Sequence, residues 1–186
     1  MKKLKVYSIE SLYSSQLENC SRETLIALVA AYAQLYLVLD GCWYLSVKQR
    51  FGDEQVVDID LQVWDKQVRK ETEKLAKLMD FRNRDVVSLM ELSALIPSAA
   101  GAKGYIEIEN RNDCTLNITY CPIVKTLENE GKGREKTECQ VICRRIMTNM
   151  ALTFNPGIEL KSIKLPPRQN QDDIYCQWQF ILKGAQ

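Results

Sequence analysis

The chain contains no histidine. Without an imidazole, Ser–His and Cys–His nucleophile pairs and histidine-ligated metal sites are all excluded, and any chemistry must run on thiol, carboxylate, lysine and arginine groups. Net charge is nearly absent as well: 25 Lys+Arg against 24 Asp+Glu gives no broad field to attract nucleic acid or an anionic membrane. Long hydrophobic runs are scarce. The stretch from Thr24 to Leu39 has no charged residue, but it covers only 16 positions and includes Gln34. About 20 residues are needed to span a bilayer, so the run reads as a buried core helix. The basic start Met1-Lys2-Lys3-Leu4-Lys5 leads into no apolar segment, which is not the pattern of a signal peptide.

With 46% hydrophobic and 26% charged residues in 186 positions, the composition is that of an ordinary soluble globular protein of one domain's size. Ser21 is placed to cap a helix beginning at Arg22, with neither Pro nor Gly before Gly41. Leu25, Leu28, Val29, Tyr32, Leu35, Tyr36, Leu39 and Trp43 recur at three- and four-residue steps, and apolar residues occupy much of the other face too. The pattern predicts a central helix ending at Phe51-Gly52. A second helix is predicted over Val56 to Met79, with Val57, Leu61, Trp64, Val68, Leu75 and Leu78 as its seam. These two form an antiparallel hairpin. A third helix spans Arg84 to Ile96, and Pro97 to Gly101 reads as a linker.

Beyond it, Tyr105–Glu109 and Thr115–Thr119 alternate as strands around the turn Asn110–Asp113. Cys121-Pro122 opens a helix, Gly131-Lys132-Gly133 breaks it, and another runs from about Glu135 to Phe154. Strands near Ile158–Leu165 and Ile174–Leu182 follow. The expected fold is α+β: an N-terminal helical hairpin plus a third helix in residues 1–100, then β-β-α-α-β-β in residues 101–186. An antiparallel sheet is covered by helices, and the whole forms one compact unit.

What the chain does have is seven cysteines, an odd number that argues against a disulfide framework and for a reducing, cytoplasmic setting. The Asn117-Ile118-Thr119 sequon is then without consequence. Cys139 and Cys143 stand four apart on one helix, so α-helical winding stacks them on one face. Cys121 lies where a strand passes into a helix, and Cys176 shares strand parity with Trp178, Phe180 and Leu182. Cys114 and Cys121 have opposite parity on one strand. Three readings follow. Cys121, Cys139, Cys143 and Cys176 could ligate zinc or an iron–sulfur cluster, although no C-x2-C knuckle is present. Cys121 at a helix N-terminus could be a reactive thiolate. Or the cysteines are buried packing, which suits Cys20 and Cys42 best.

Asp40 ends the uncharged stretch inside a helix expected to be buried, and a buried carboxylate must be paired, protonated or functional. Its structural alternative is an open helix end that meets water or lysine. Trp43, Tyr44 and Trp64 could line an apolar ligand cavity or simply pack the core. Arg144 and Arg145 abut Cys143, and Arg168 follows Pro166-Pro167; such a guanidinium could hold a carboxylate. Gly131-Lys132-Gly133 joins two helices and is not a phosphate loop.

Leu39-Asp40-Gly41-x-Trp43, Gly52, Val63-Trp64, Cys121-Pro122, Cys139, Asn155-Pro156, Pro166-Pro167-Arg168 and Cys176-x-Trp178-x-Phe180 resemble an uncharacterised family of anaerobic prokaryotes that is similar to the L-2-amino-thiazoline-4-carboxylate hydrolases. A more distant likeness runs to the ligand-binding domains grouped with the vinyl reductases. The resemblance implies a small-molecule pocket between helices and sheet, with Cys121 or Cys139 as nucleophile, Asp40 as acid/base and Arg168 orienting a carboxylate. Trp43, Trp64 and Cys176 would complete the ligand contacts. The expectation is a cytoplasmic small-molecule-binding protein or thiol-dependent hydrolase of a carboxylate-bearing compound, needing no cofactor and engaging neither nucleic acid nor membrane, with a homodimer left open. The alternatives are a zinc or iron–sulfur protein and a non-catalytic sensor of an apolar ligand.

Overall fold

The structure, a computed structural model, describes residues 8–184; the basic segment Met1–Lys5 lies outside the described residues. Helix α1 (Ile9–Glu18) leads to α2 (Arg22–Phe51). The Ser21 hydroxyl accepts from the Thr24 N–H at 3.2 Å and so caps the long helix. Gly52, at φ 88°, turns the chain directly into α3 (Asp53–Leu78). The two helices form the expected antiparallel hairpin. Tyr36 meets Trp64 edge-on with ring centroids 6.1 Å apart, and its hydroxyl donates to Glu71 at 2.9 Å.

The expectation that α2 is a core helix is overturned: none of its residues is buried. Its apolar residues encircle the helix, yet α3 covers only one side, so Ile26, Val29, Leu35, Val38, Leu39 and Leu45 remain exposed. By length and composition α2 could also cross a membrane. The central helix is α3. Its buried ridge is Val56, Asp60, Trp64, Val68, Thr72 and Ala76, an unbroken four-residue step that differs from the expected seam at four of six positions. Val57, Leu61 and Leu75 are only half-buried and Leu78 is exposed. The i±4 row wins because α3 packs against α7 as well as α2.

Helix α4 (Val86–Ser93) is capped by Asp85, whose carboxylate accepts from the Ser88 N–H at 2.9 Å. The stretch read as a linker holds a short 3-10 turn, Pro97–Ala99. Strands β1 (Lys103–Asn110), β2 (Asp113–Tyr120), β3 (Ile158–Lys164) and β4 (Cys176–Leu182) make one antiparallel sheet in the order β1-β2-β4-β3. Between β2 and β3 lie α5 (Pro122–Glu130), α6 (Arg134–Thr137), a π-helical turn (Glu138–Cys143) and α7 (Arg144–Phe154). The α+β fold with helices packed on an antiparallel sheet is therefore as the sequence predicts.

One sheet face is polar and the other forms the core. Cys114, Trp178, Phe180 and Ile158 bury against Val68, Leu89, Leu92, Met150 and Phe154 from α3, α4 and α7. On the polar face Gln177 donates to Asn117 Oδ1 at 2.7 Å, and Asn117 is 1% exposed. The sequon's asparagine is thus folded away from solvent, while its Thr119 is exposed.

Candidate functional site

The site begins with a break in helix geometry. Residues 138–143 wind as a π-helix, in which side chains five apart, not four, lie over one another. This places Glu138 above Cys143: the Cys143 thiol lies 3.9 Å from Glu138 Oε1. The Cys139–Cys143 stacking expected from α-helical winding is thereby shared with a carboxylate, since the Cys143 thiol also faces Cys139. A single wide turn of this kind recurs at functional sites because it redirects side chains without ending the helix.

Glu138 reaches an open cavity of about 360 Å³ lined by α2, α3, α5 and α6. Asp40 and Tyr44 come from α2, Asp60 from α3, Glu130 from α5 and Arg134 from α6, while Leu37, Val38, Leu45, Ile123 and Leu127 form the apolar wall. A smaller cavity of about 260 Å³ shares Tyr44, Arg134 and Glu138. Arg134 is already engaged. It pairs with both Glu130 oxygens at 2.8 and 3.0 Å and lies 4.9 Å over the Tyr44 ring.

The three remaining carboxylates, Asp40, Asp60 and Glu138, are not held in such an ion pair. Asp60 is 3% exposed and its Oδ1 has no hydrogen-bond partner. Burial, with the Asp40 charge adding to it, pushes the Asp60 carboxyl up to about 7. Glu138 is likewise raised to about 7, first by burial and then by Asp60 and Asp40, with Arg134 opposing. Asp40 is raised by burial. Asp60 and Glu138 are therefore ionised only in part at neutral pH, and desolvated like charges held near one another stabilise any cation that enters between them.

The thiols fare differently. Cys121 stands at the N-terminus of α5 with the Ile123 and Val124 amides near its sulfur, yet burial outweighs them and pushes its thiol up to about 11. The lowered thiol pKa expected at this helix start is therefore corrected: water exclusion costs the thiolate more than two amides return. Burial raises Cys176 to about 12, although Trp178 Nε1 donates to its sulfur at 3.2 Å. Cys143 is raised through its Cys139 contact, burial and Glu138. Cys139 is buried with Val124 and Tyr175 in a small second cluster that Cys121 borders. Cys114 sits in the main core. Cys143 faces Cys139 and lies near enough to Cys121 and Cys176 to affect their thiols, but among the described residues no group of three Cys, Asp or Glu side chains is arranged to hold a metal ion.

Of the candidate residues read from sequence, Asp40 and Tyr44 line the larger cavity. Trp64 is buried against Tyr36, and Tyr44 rather than Trp43 supplies the aromatic wall. Arg168 is not free to receive a carboxylate. Its guanidinium forks onto Glu128 at 2.7 and 2.8 Å and stacks 4.1 Å over Tyr175. Arg145 is similarly held by Asp65 at 2.8 and 2.9 Å. Asp60, Glu138 and Arg134 were the residues to find. Asp60 carries the clearest signal, because it occupies a core-ridge position four residues from both Val56 and Trp64.

The model of one family, described as a family of unknown function (DUF6125), matches residues 18–182. The chain belongs to the DUF6125 family. That match takes in α2 through β4 and hence every residue lining the cavity. No curated protein and no solved structure matches the chain at a significant level.

Proposed function

We propose that this DUF6125 chain is a small-molecule-binding protein whose cavity takes an organic ligand with a protonated nitrogen and an apolar body. The observation that carries the reading is Asp60, a nearly fully buried carboxylate with a partnerless oxygen that lines a 360 Å³ cavity. Nothing on the protein satisfies it, and Asp40 and Glu138 add to the negative charge that a bound ammonium would neutralise. The volume suits a small organic molecule. A carboxylate-bearing ligand needs a free cation in the cavity, and Arg134 and Arg168 are both ion-paired. All seven cysteines are free thiols, which suits the cytoplasm as its compartment.

Thermal-shift measurements with hexylamine, hexanol and hexanoate separate the chemistries. The amine at millimolar concentration is expected to raise Tm by about 2–5 °C, with the alcohol and acid near zero. The effect disappears in Asp60→Asn. Equal or larger stabilisation by hexanoate would sink the proposal.

The Cys143–Glu138 contact favours a second reading, a thiol-dependent hydrolase with the nucleophile at Cys143 instead of Cys121 or Cys139. There Glu138 takes the Sγ proton as the sulfur attacks an acyl carbon of the ligand; the bond from that carbon to its leaving group breaks and the leaving group takes the proton back from Glu138; water then cleaves the thioester, releasing the acid and restoring the thiol. Alkylation by iodoacetamide, mapped by peptide mass spectrometry, tests it. Cys143 should react first, with a rate that rises near pH 7 and collapses in Glu138→Gln. Slow alkylation of all thiols only at high pH would rule it out.

A further inference from the structure

Helix α2 uses two sides. Tyr36 and Asp40 turn toward α3, where they meet Trp64, Glu71 and Asp60. On the opposite side Ala31, Leu35, Val38, Cys42 and Leu45 follow one another at steps of four, three, four and three. Leu28 and Gln49 continue the line. That is a heptad seam, the spacing by which one helix fits a second along its length. It is bare: Leu35, Val38 and Leu45 are 61%, 59% and 54% exposed, and Tyr32 and Leu39 beside it are 54% and 68% exposed.

We infer that a second copy of this chain docks on this seam, its α2 antiparallel to the first and the two-fold axis passing between Leu35 and Val38. In that register Leu35 meets Val38 of the other copy, Ala31 meets Cys42 and Leu28 meets Leu45, so every seam position finds a seam position. Charge selects the antiparallel sense. It sets the Glu23 end of one helix beside the Arg50 end of the other, Lys48 being already paired with Asp53, whereas a parallel pair aligns like ends and parallel helix dipoles. Tyr32 and Leu39 fall on the same flank and extend the contact.

A bilayer is the poorer occupant. The α3 helix runs along α2 and is laden with Lys66, Arg69, Lys70, Glu73, Lys74 and Lys77. Insertion of α2 would drag these charges into hydrocarbon or tear Tyr36 from Trp64 and Glu71. Pairing also serves the cavity. Val38 and Leu45 belong both to its wall and to the seam, so the second copy's Leu28 and Leu35 would shield the outer side of that wall. The pairing stands whether or not the cavity binds an amine.

Light scattering on the full chain at tens of micromolar is expected to give twice the 21.4 kDa chain mass. The double variant Leu35→Lys/Val38→Lys should give the monomer mass with unchanged circular dichroism, because both side chains are exposed. In a Cys20→Ser background, a short bismaleimide should join position 31 of an Ala31→Cys chain to Cys42 of the other copy, and should leave Cys42 unjoined to its own counterpart when Ala31 is intact. A monomeric wild type overturns the inference. So does efficient Cys42–Cys42 crosslinking, which means a parallel pair, or co-sedimentation of the chain with lipid vesicles in place of dimerisation.

Discussion

Asp60 shows what one buried carboxylate does to a small protein. The folded chain holds its proton up to about pH 7, while an unfolded chain releases it near pH 4. Between those values the folded state binds more protons than the unfolded state, so stability falls as pH rises through this window and stays low above it. Glu138 acts in the same direction. Replacing Asp60 with Asn removes the ionisation and eases that of Glu138. Urea denaturation should find the variant more stable than the wild type by on the order of 2 kcal/mol at pH 8, with the gain nearly gone at pH 4. A variant less stable at pH 8 would mean that Asp60 is compensated within the folded chain. Such a stability penalty makes sense where ligand binding offsets it.

At the scale of elements, the helices depend on a few backbone positions. Gly52 joins α2 to α3 at φ 88° and ψ 177°, a region that side-chain-bearing residues occupy only under strain. Gly52→Ala should cost about 1–3 kcal/mol. Gly41→Ala is the opposite case, since a methyl there meets nothing within 4 Å and the backbone is helical; it should stabilise by about 0.5–1 kcal/mol. Thermal denaturation of the two variants decides, and equal shifts would contradict the assignment of the turn. Several element boundaries were legible: Ser21, Pro122, Gly131 and Pro156 mark starts and stops through local chemistry, whereas the third helix was expected from Arg84 and starts only after its Asp85 cap. The π-turn was not legible. Nothing in Glu138-Cys139-Gln140-Val141-Ile142-Cys143 distinguishes five-residue from four-residue winding, because it is tertiary packing that sets which side chains face inward.

At the scale of the whole molecule, the expected core helix lies on the surface. Hydrophobicity around all of α2 was read as burial among other helices of the same chain. The described residues bury only part of it and leave a heptad seam that matches itself in reverse. If α2 pairs with its copy, the apolar composition is satisfied between chains rather than within one, and apparent stability rises with protein concentration. The same pairing would place two cavities on either side of one helical interface, with Val38 and Leu45 shared between wall and contact.

The sequence by itself determined the α+β class, the helical hairpin, the strand pairs and the exclusion of imidazole chemistry, because caps, breakers, periodicity and composition act locally. It also singled out Asp40. It could not bring Asp60 and Glu138 to Asp40, since they come from three separate elements. Nor could it show Arg168 spent on Glu128 forty residues away, or burial overriding the helix-terminus effect at Cys121. Those outcomes depend on which groups exclude water from which others, and that is decided only when the helices pack.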